Sequence, residues 1–153
     1  MSAEVVEASA AQLHHALLGR SERVGCAESL TGGELAWWLS STPGASATFT
    51  GAVVSYASQV KREVLGVTAE TVVSSDCAEQ MATGVRRLLG VDWALSTTGV
   101  AGPDEQEGQA VGTAYVGIAS TQRSARCGWC STGTGPGSAE PSVPRQWSCC
   151  SRR

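Results

Sequence analysis

Along the first 120 residues the apolar positions switch repeatedly between a helical and a strand-like period. Residues 5–18 place Val5, Val6, Leu13 and Leu17 at near-helical spacing, with Gly19 positioned to end the turn. The short apolar run at 23–26 predicts a first strand. Residues 34–39 predict a second helix, stopped ahead of Pro43-Gly44. Residues 49–56 are β-branched and aromatic and predict a strand. Residues 58–65 predict a short helix closed by Gly66. Ser74-Ser75-Asp76 caps a helix running to about Leu89, with Met81, Val85, Leu88 and Leu89 inward and Gly90 at its end. Residues 92–97 and 112–120 predict two further strands, separated by a small-residue loop at 98–103 and a polar, mobile stretch at 104–109. Strands alternating with helices over short loops predict an α/β fold, a three-layer α/β/α sandwich around a mixed, largely buried sheet.

Ligands in such folds sit at the carboxyl ends of strands. Two small-residue loops fall at such ends, one after Cys26 and one after Thr97. The first reads Ala27-Glu28-Ser29-Leu30-Thr31-Gly32-Gly33. A strand-to-helix corner of this kind presents free backbone N–H groups, and its glycines admit close approach. It can hold a nucleophile beside an oxyanion site or cradle a phosphate. Taken by itself, the same stretch is also satisfied by a Ser29 or Thr31 helix cap followed by a glycine turn.

Composition narrows the classes. The 153 residues suffice for one domain with a real core. No apolar run is long enough to span a membrane and no charged-then-apolar leader opens the chain, so it reads as cytoplasmic. The net charge of −3 hides an asymmetry: residues 1–120 carry six Lys/Arg against thirteen Asp/Glu, and residues 121–153 carry five Arg against Glu140 alone. That acidic body argues against nucleic acid as a partner. Cys26 and Cys77 stand singly in the body, where a buried thiol is the default. Cys127, Cys130, Cys149 and Cys150 crowd the end, but the adjacent second pair lacks the spacer of a zinc site, and no metal is expected.

A nucleophilic Ser29 needs a proton acceptor. His14 and His15 lie on the first helix with no paired Asp, which disfavours a Ser-His-Asp triad. Arginine does not deprotonate in a protein. Lys61 is the only lysine beside ten arginines, and a lysine becomes a base when desolvated. Tyr56, five residues earlier, can relay or donate a proton. The plainer alternative is a solvated helix lysine. A phosphate-binding GxxxxGK[ST] loop is missing, since Gly133-Thr134-Gly135-Pro136-Gly137 has no lysine.

Ala27 to Gly33, Pro43-Gly44 through Tyr56 and Lys61, Gly66-Val67, Thr98-Gly99-Val100-Ala101-Gly102-Pro103 and Val111-Gly112-Thr113 together resemble the CinA C-terminal domain family, in order, over roughly residues 5–120. Enzymatic members of that family are nicotinamide mononucleotide amidohydrolases, which release ammonia from the carboxamide and leave nicotinate mononucleotide. The resemblance implies catalytic Ser29, Tyr56 and Lys61, with a small-molecule nucleotide as substrate and no metal or other cofactor. It also implies that Thr31, Gly32 and Gly33 line the oxyanion side, and that Leu30, Thr98, Gly99, Ala101 and Gly102 help hold the substrate. Leu30 stands where a cysteine is common. Members commonly self-associate as homo-oligomers. A second reading keeps the fold without the chemistry, as a competence- or damage-associated binding remnant.

The resemblance breaks at the end. Members continue with another strand, a Gly-Asp-Arg motif and a C-terminal helix. Residues 121–153 hold Val143 alone from the Val/Leu/Ile/Met/Phe set, and are expected to form an aberrant, disordered tail in place of that strand and helix. Restoring one nucleotide after the codon for Arg126 forces valine from Trp129-Cys130 and leucine from Cys149-Cys150, whatever synonymous codons are used. It permits Leu-Asp-Gly-Asp-Arg across 131–135. We read the terminus as frameshifted.

Overall fold

A computed structural model describes residues 2–121, 124–130 and 148–149, the last two segments by their backbone alone. Six strands form one sheet in the order β2-β1-β3-β4-β5-β6. Helix α1 is Ala3–Leu18, β1 Val24–Glu28, α2 Glu34–Ser41, β2 Phe49–Val54, α3 Ser58–Leu65 and α4 Ser75–Leu89. Strand β3 is Trp93–Gly99, β4 Thr113–Ser120, β5 Ser124–Cys130 and β6 Ser148–Cys149. Strands β2, β1 and β3 run parallel, and β4, β5 and β6 follow antiparallel. The sheet is thus mixed, as the alternation of periods predicts. Helices α1 and α2 pack together, with α2 on β1 and β2, while α3 packs on α4, which lies across the sheet.

Strand β1 sits between β2 and β3, and all five of its residues are buried. The core beneath α4 is built from Val72, Val73, Cys77, Met81, Val85, Val91 and Ala94. Helix α4 comes unusually close to β4: a Cβ on Gly117 would collide with the Ala78 carbonyl, so only glycine lets the two backbones meet there. Ser74 caps α4 by accepting from Cys77 N–H at 3.1 Å, as its place in the sequence predicts.

The inward faces are shifted in detail. Leu88 is 53 % exposed and Val5 50 % exposed, while Ala10 and Leu17 are the buried positions of α1. Apolar residues outnumber the positions each narrow helix–sheet contact can cover, so period alone assigns too many inward. The stretch at 104–109 is held together rather than loose: the backbones of Gln106 and Gln109 exchange both hydrogen bonds, at 3.2 and 2.9 Å.

The sheet continues past the expected domain boundary at residue 120. Strand β5 pairs antiparallel with β4 from Ser124 opposite Ala119 to Cys130 opposite Thr113. Strand pairing is made by backbone groups, and the open edge of β4 offers a full row of them to the next segment of chain, whatever its side chains. A deficit of apolar residues therefore did not prevent a strand. The expected disorder of the remaining tail falls on residues 131–147 and 150–153, outside the described residues. Among the described residues no helix is long and apolar enough to cross a membrane.

Candidate active site

Strand register brings the candidate residues to one end of the sheet. Val54 of β2 and Thr97 of β3 both stand opposite Glu28 of β1, so three parallel strands finish side by side. The chain order reverses around β1, the switch point outside which α/β sheets hold ligands. Ser29 follows β1 immediately, Ser55 and Tyr56 follow β2, and Thr98 and Gly99 close β3. Ser29 N–H donates to the Thr97 carbonyl at 3.0 Å, and Ser55 donates to the Glu28 carbonyl from both its N–H (2.7 Å) and its hydroxyl (3.1 Å). The first turn of α3 then carries Lys61 back beneath Tyr56.

A cavity of about 120 Å³ opens here, bordered by Ser29, Leu30, Tyr56, Lys61, Thr98, Gly99, Ala101 and Gly102, together with Asp104 and Gln106. That volume lies below the roughly 300 Å³ of pockets that enclose a drug-sized ligand, so it can engulf one flat group and leave the rest of a ligand across its rim. Ser29 is buried, with its residue only 7 % exposed, and Lys61 is 2 % exposed. Lys61 Nζ donates to the Tyr56 carbonyl at 3.4 Å, and among the described residues it forms no ion pair. Burial pushes its ammonium below the ordinary lysine value of 10.5, opposed in part by the ionised form of Cys77 and by Glu107. The Tyr56 ring is 72 % exposed at the rim. It is therefore the backbone of Tyr56, rather than its phenol, that meets Lys61.

The corner itself is organised by a residue the sequence reading did not single out. Helix α2 has Gly33 at its N-cap, at φ 114°, a left-handed conformation that suits glycine and supplies no side chain to cap with. Glu28, wholly buried at the end of β1, does that work instead. Its carboxylate accepts from the N–H groups of Gly33 (3.0 Å), Leu35 (3.1 Å) and Ala36 (2.8 Å). It also accepts from the Thr31 hydroxyl at 2.6 Å. Having given its one proton to Glu28, Thr31 must accept from Thr97 Oγ1 at 2.7 Å. An internal anion thus occupies the helix N-terminus, where an external phosphate or oxyanion would otherwise bind.

Thr31, Gly32 and Gly33, expected on the oxyanion side, are not among the residues that border the cavity. Thr31 and Gly33 are engaged by Glu28, and Gly32 N–H donates to the Ser29 carbonyl at 3.2 Å. Among the described residues, the Leu30 N–H meets no acceptor. The Thr98 hydroxyl is likewise engaged, donating to the Val72 carbonyl at 2.6 Å. Thr98 therefore ties the 72–73 wall to the sheet. Glu107, another residue without a sequence signal, accepts from Val73 N–H at 2.9 Å on that same wall. Neither carboxylate stands at a cap position in the sequence: Glu28 ends a strand and finds its partners 3 to 8 positions on, and Glu107 finds its partner 34 positions back. Among the described residues no three His, Cys, Asp or Glu side chains group to hold a metal ion.

Residues 6–135 match the family model for the CinA C-terminal domain. A CinA-like protein of Frankia casuarinae is 52 % identical over 108 residues, which is 67 % of this chain and 25 % of the relative. A CinA-like protein of a Cyanothece species is 48 % identical over 109 residues. The chain spans only 25 to 30 % of the length of the first relatives it matches in sequence. Among solved structures, the competence damage-inducible protein A of Klebsiella pneumoniae superposes with a TM-score of 0.79 at 33 % identity, covering 84 % of this chain and 83 % of that one. The match runs through β5 to residue 135, past the expected boundary at 120, and the chain belongs to the CinA C-terminal domain family.

Proposed function

We propose that the domain hydrolyses a carboxamide, that of nicotinamide mononucleotide, with Ser29 as nucleophile and Lys61 as base. The observation that carries this reading is the pairing, in one small cavity, of a buried serine with a buried lysine whose ammonium is held below its ordinary value. A neutral Lys61 amine takes the Ser29 proton as Oγ attacks the carboxamide carbon. The resulting oxyanion is met by the unengaged Leu30 N–H, the donor next to the nucleophile. Collapse breaks the C–N bond, and ammonia leaves with the proton from Lys61. Water then attacks the Ser29 ester and gives a proton to Lys61; the C–Oγ bond breaks as Lys61 returns that proton to Ser29 Oγ, and the acid leaves as the carboxylate. Tyr56 positions Lys61 through its carbonyl, and its exposed ring is free to close over a bound pyridine. The cavity has the size for that ring, with the ribose and phosphate lying outward.

Supporting the reading from the family side, Ser29, Tyr56 and Lys61 lie within the residues matched to the CinA C-terminal domain, at the positions where the sequence resemblance implies the nucleophile and its partners. A second reading, of a non-catalytic or impaired domain, draws on one specific observation. Among the described residues lining the cavity, Lys61 is the only basic side chain, so nothing else there pairs with a substrate phosphate. Ammonia release from nicotinamide mononucleotide tests the first reading, with Ser29→Ala as control. Turnover that is lost in Ser29→Ala supports it, and turnover that survives the substitution refutes the serine mechanism. Absence of turnover even with a frame-restored terminus favours the second.

A further inference from the structure

The proposed mechanism leaves one carboxylate beside the cavity, that of the exposed residue Glu107, without a task. Glu107 sits in a stretch with no regular structure, at φ 52°, a left-handed conformation that a residue with a side chain seldom adopts. Its carboxylate accepts from Val73 N–H, 34 positions away, at 2.9 Å. Val73 borders the cavity, and so do Asp104 and Gln106 on the stretch that carries Glu107. The backbone exchange between Gln106 and Gln109 makes that stretch a small closed turn, tied outward by Glu107 to Val73 and by Gln109 to the Tyr115 hydroxyl. On the other side of the wall the Thr98 hydroxyl holds the Val72 carbonyl. The 72–73 segment is therefore held between two side chains, one from β3 and one from the turn.

Lys61 is the other party. The groups that face it are the Tyr56 carbonyl from the end of β2, Cys77 from α4, and Glu107 from the turn, with Asp104 bordering the same cavity. No described carboxylate lies within ion-pair distance of its Nζ. The Glu107 carboxylate is fixed on Val73, which borders the same cavity as Lys61, and its charge favours the Lys61 ammonium.

We propose that Glu107 is a positioning residue of the site: it clasps Val73 N–H to hold the 104–109 turn as the cavity's wall, and it is the carboxylate that counterbalances the Lys61 ammonium. The two roles are separable by chemistry. Glutamine at position 107 can still accept from Val73 N–H but carries no charge, whereas alanine abolishes both the clasp and the charge.

The experiment exploits Lys61 being the only lysine in the chain. Protein labelled with carbon-13 at lysine Cε shows one side-chain signal, whose titration follows Lys61 with no assignment problem. Glu107→Gln moves that titration to lower pH, because removing a nearby negative charge makes the ammonium easier to deprotonate. The Val73 amide keeps its protection against hydrogen exchange in this variant. Glu107→Ala moves the titration in the same direction and speeds Val73 exchange about tenfold, the loss expected for one hydrogen bond to a charged acceptor. A Lys61 titration unchanged in both variants overturns the electrostatic role. An unchanged Val73 exchange rate in Glu107→Ala overturns the clasp. These readouts need no turnover, so they stand or fall apart from the amidohydrolase reading. A third readout rests on that reading: if Lys61 is the base, the acidic limb of the pH–rate profile shifts to lower pH in Glu107→Gln in step with the titration. A shifted titration with an unshifted profile would retain Glu107 and remove Lys61 as the base.

Discussion

Replacing Glu28 with glutamine changes one oxygen into an amide and tests how the corner is held. The carboxylate receives Thr31 Oγ1 and the N–H groups of Gly33 and Leu35 on one oxygen, and the Ala36 N–H on the other. Glutamine can keep its carbonyl oxygen toward the first three donors. Its NH₂ group must then face the Ala36 N–H, donor against donor. An unsatisfied buried N–H costs about 1–3 kcal/mol. Removal of a negative charge from a partly buried helix N-terminus costs up to about 2 kcal/mol more. The expected loss is therefore about 3 kcal/mol, which in a domain of this size lowers the melting temperature by about 10 °C. Glu28→Ala frees these four donors and the Cys26 thiol, which donates to the same carboxylate at 3.9 Å, in a fully buried place and should cost more than the glutamine variant. Thermal unfolding followed by circular dichroism reads both. A Glu28→Gln melting temperature within about 2 °C of the parent would sink the argument that this carboxylate caps α2. Because Ser29 directly follows Glu28, any turnover should fall with the cap even where the fold persists at low temperature.

Other expectations follow from the same geometry. Lys61→Met replaces a buried, unpaired ammonium by an apolar chain of similar length and should stabilise the fold while abolishing any turnover. The sign with pH is fixed by the lowered folded value: the penalty of the charged lysine is fully present below that value and vanishes above the ordinary 10.5. The gain in Lys61→Met over the parent, measured by urea unfolding, should therefore shrink as pH rises toward 10.5, and a gain independent of pH in that range would count against burial as the cause. Cys26 and Cys77 are wholly buried, with thiols pushed up to about 12 and about 11. Both should resist thiol reagents in the native state and react on unfolding, and stability should begin to fall as pH rises through 9.0, where unfolded cysteine ionises while these two stay protonated. Labelling of Cys77 at the rate of an exposed thiol would contradict its placement on the buried face of α4. Sequencing DNA across codons 126–127 checks the frameshift: a frame unable to encode Leu-Asp-Gly-Asp-Arg at 131–135 refutes it, and a restored chain should melt higher and turn over faster.

Much of this molecule is dictated by short-range sequence. Helix α3 begins and ends where its pattern and Gly66 place it, and α4 takes its cap from Ser74 and its stop from Gly90. These signals are local, acting between residues a few positions apart, so one chain segment carries all that is needed. The family motifs likewise pointed to Ser29, Tyr56 and Lys61 as neighbours, which they are around one cavity. What the sequence by itself could not decide was the use each group is put to. Thr31 and Gly33 look like an oxyanion corner until Glu28, whose own place in the chain suggests only the end of a strand, folds its carboxylate over the start of α2. Tyr56 is marked in the sequence by its phenol, yet the bond to Lys61 is made by its carbonyl. Strand β5 looks unformable until the open edge of β4 supplies its hydrogen bonds. Each of these was settled by tertiary contact, because burial and hydrogen-bond demand are satisfied by whichever groups the fold brings within reach, and distance along the chain says nothing about that. The pattern of apolar positions determined the layers and the strand ends where a site could lie. Packing alone determined that the helix N-terminus at that site is already filled by an anion of the protein's own.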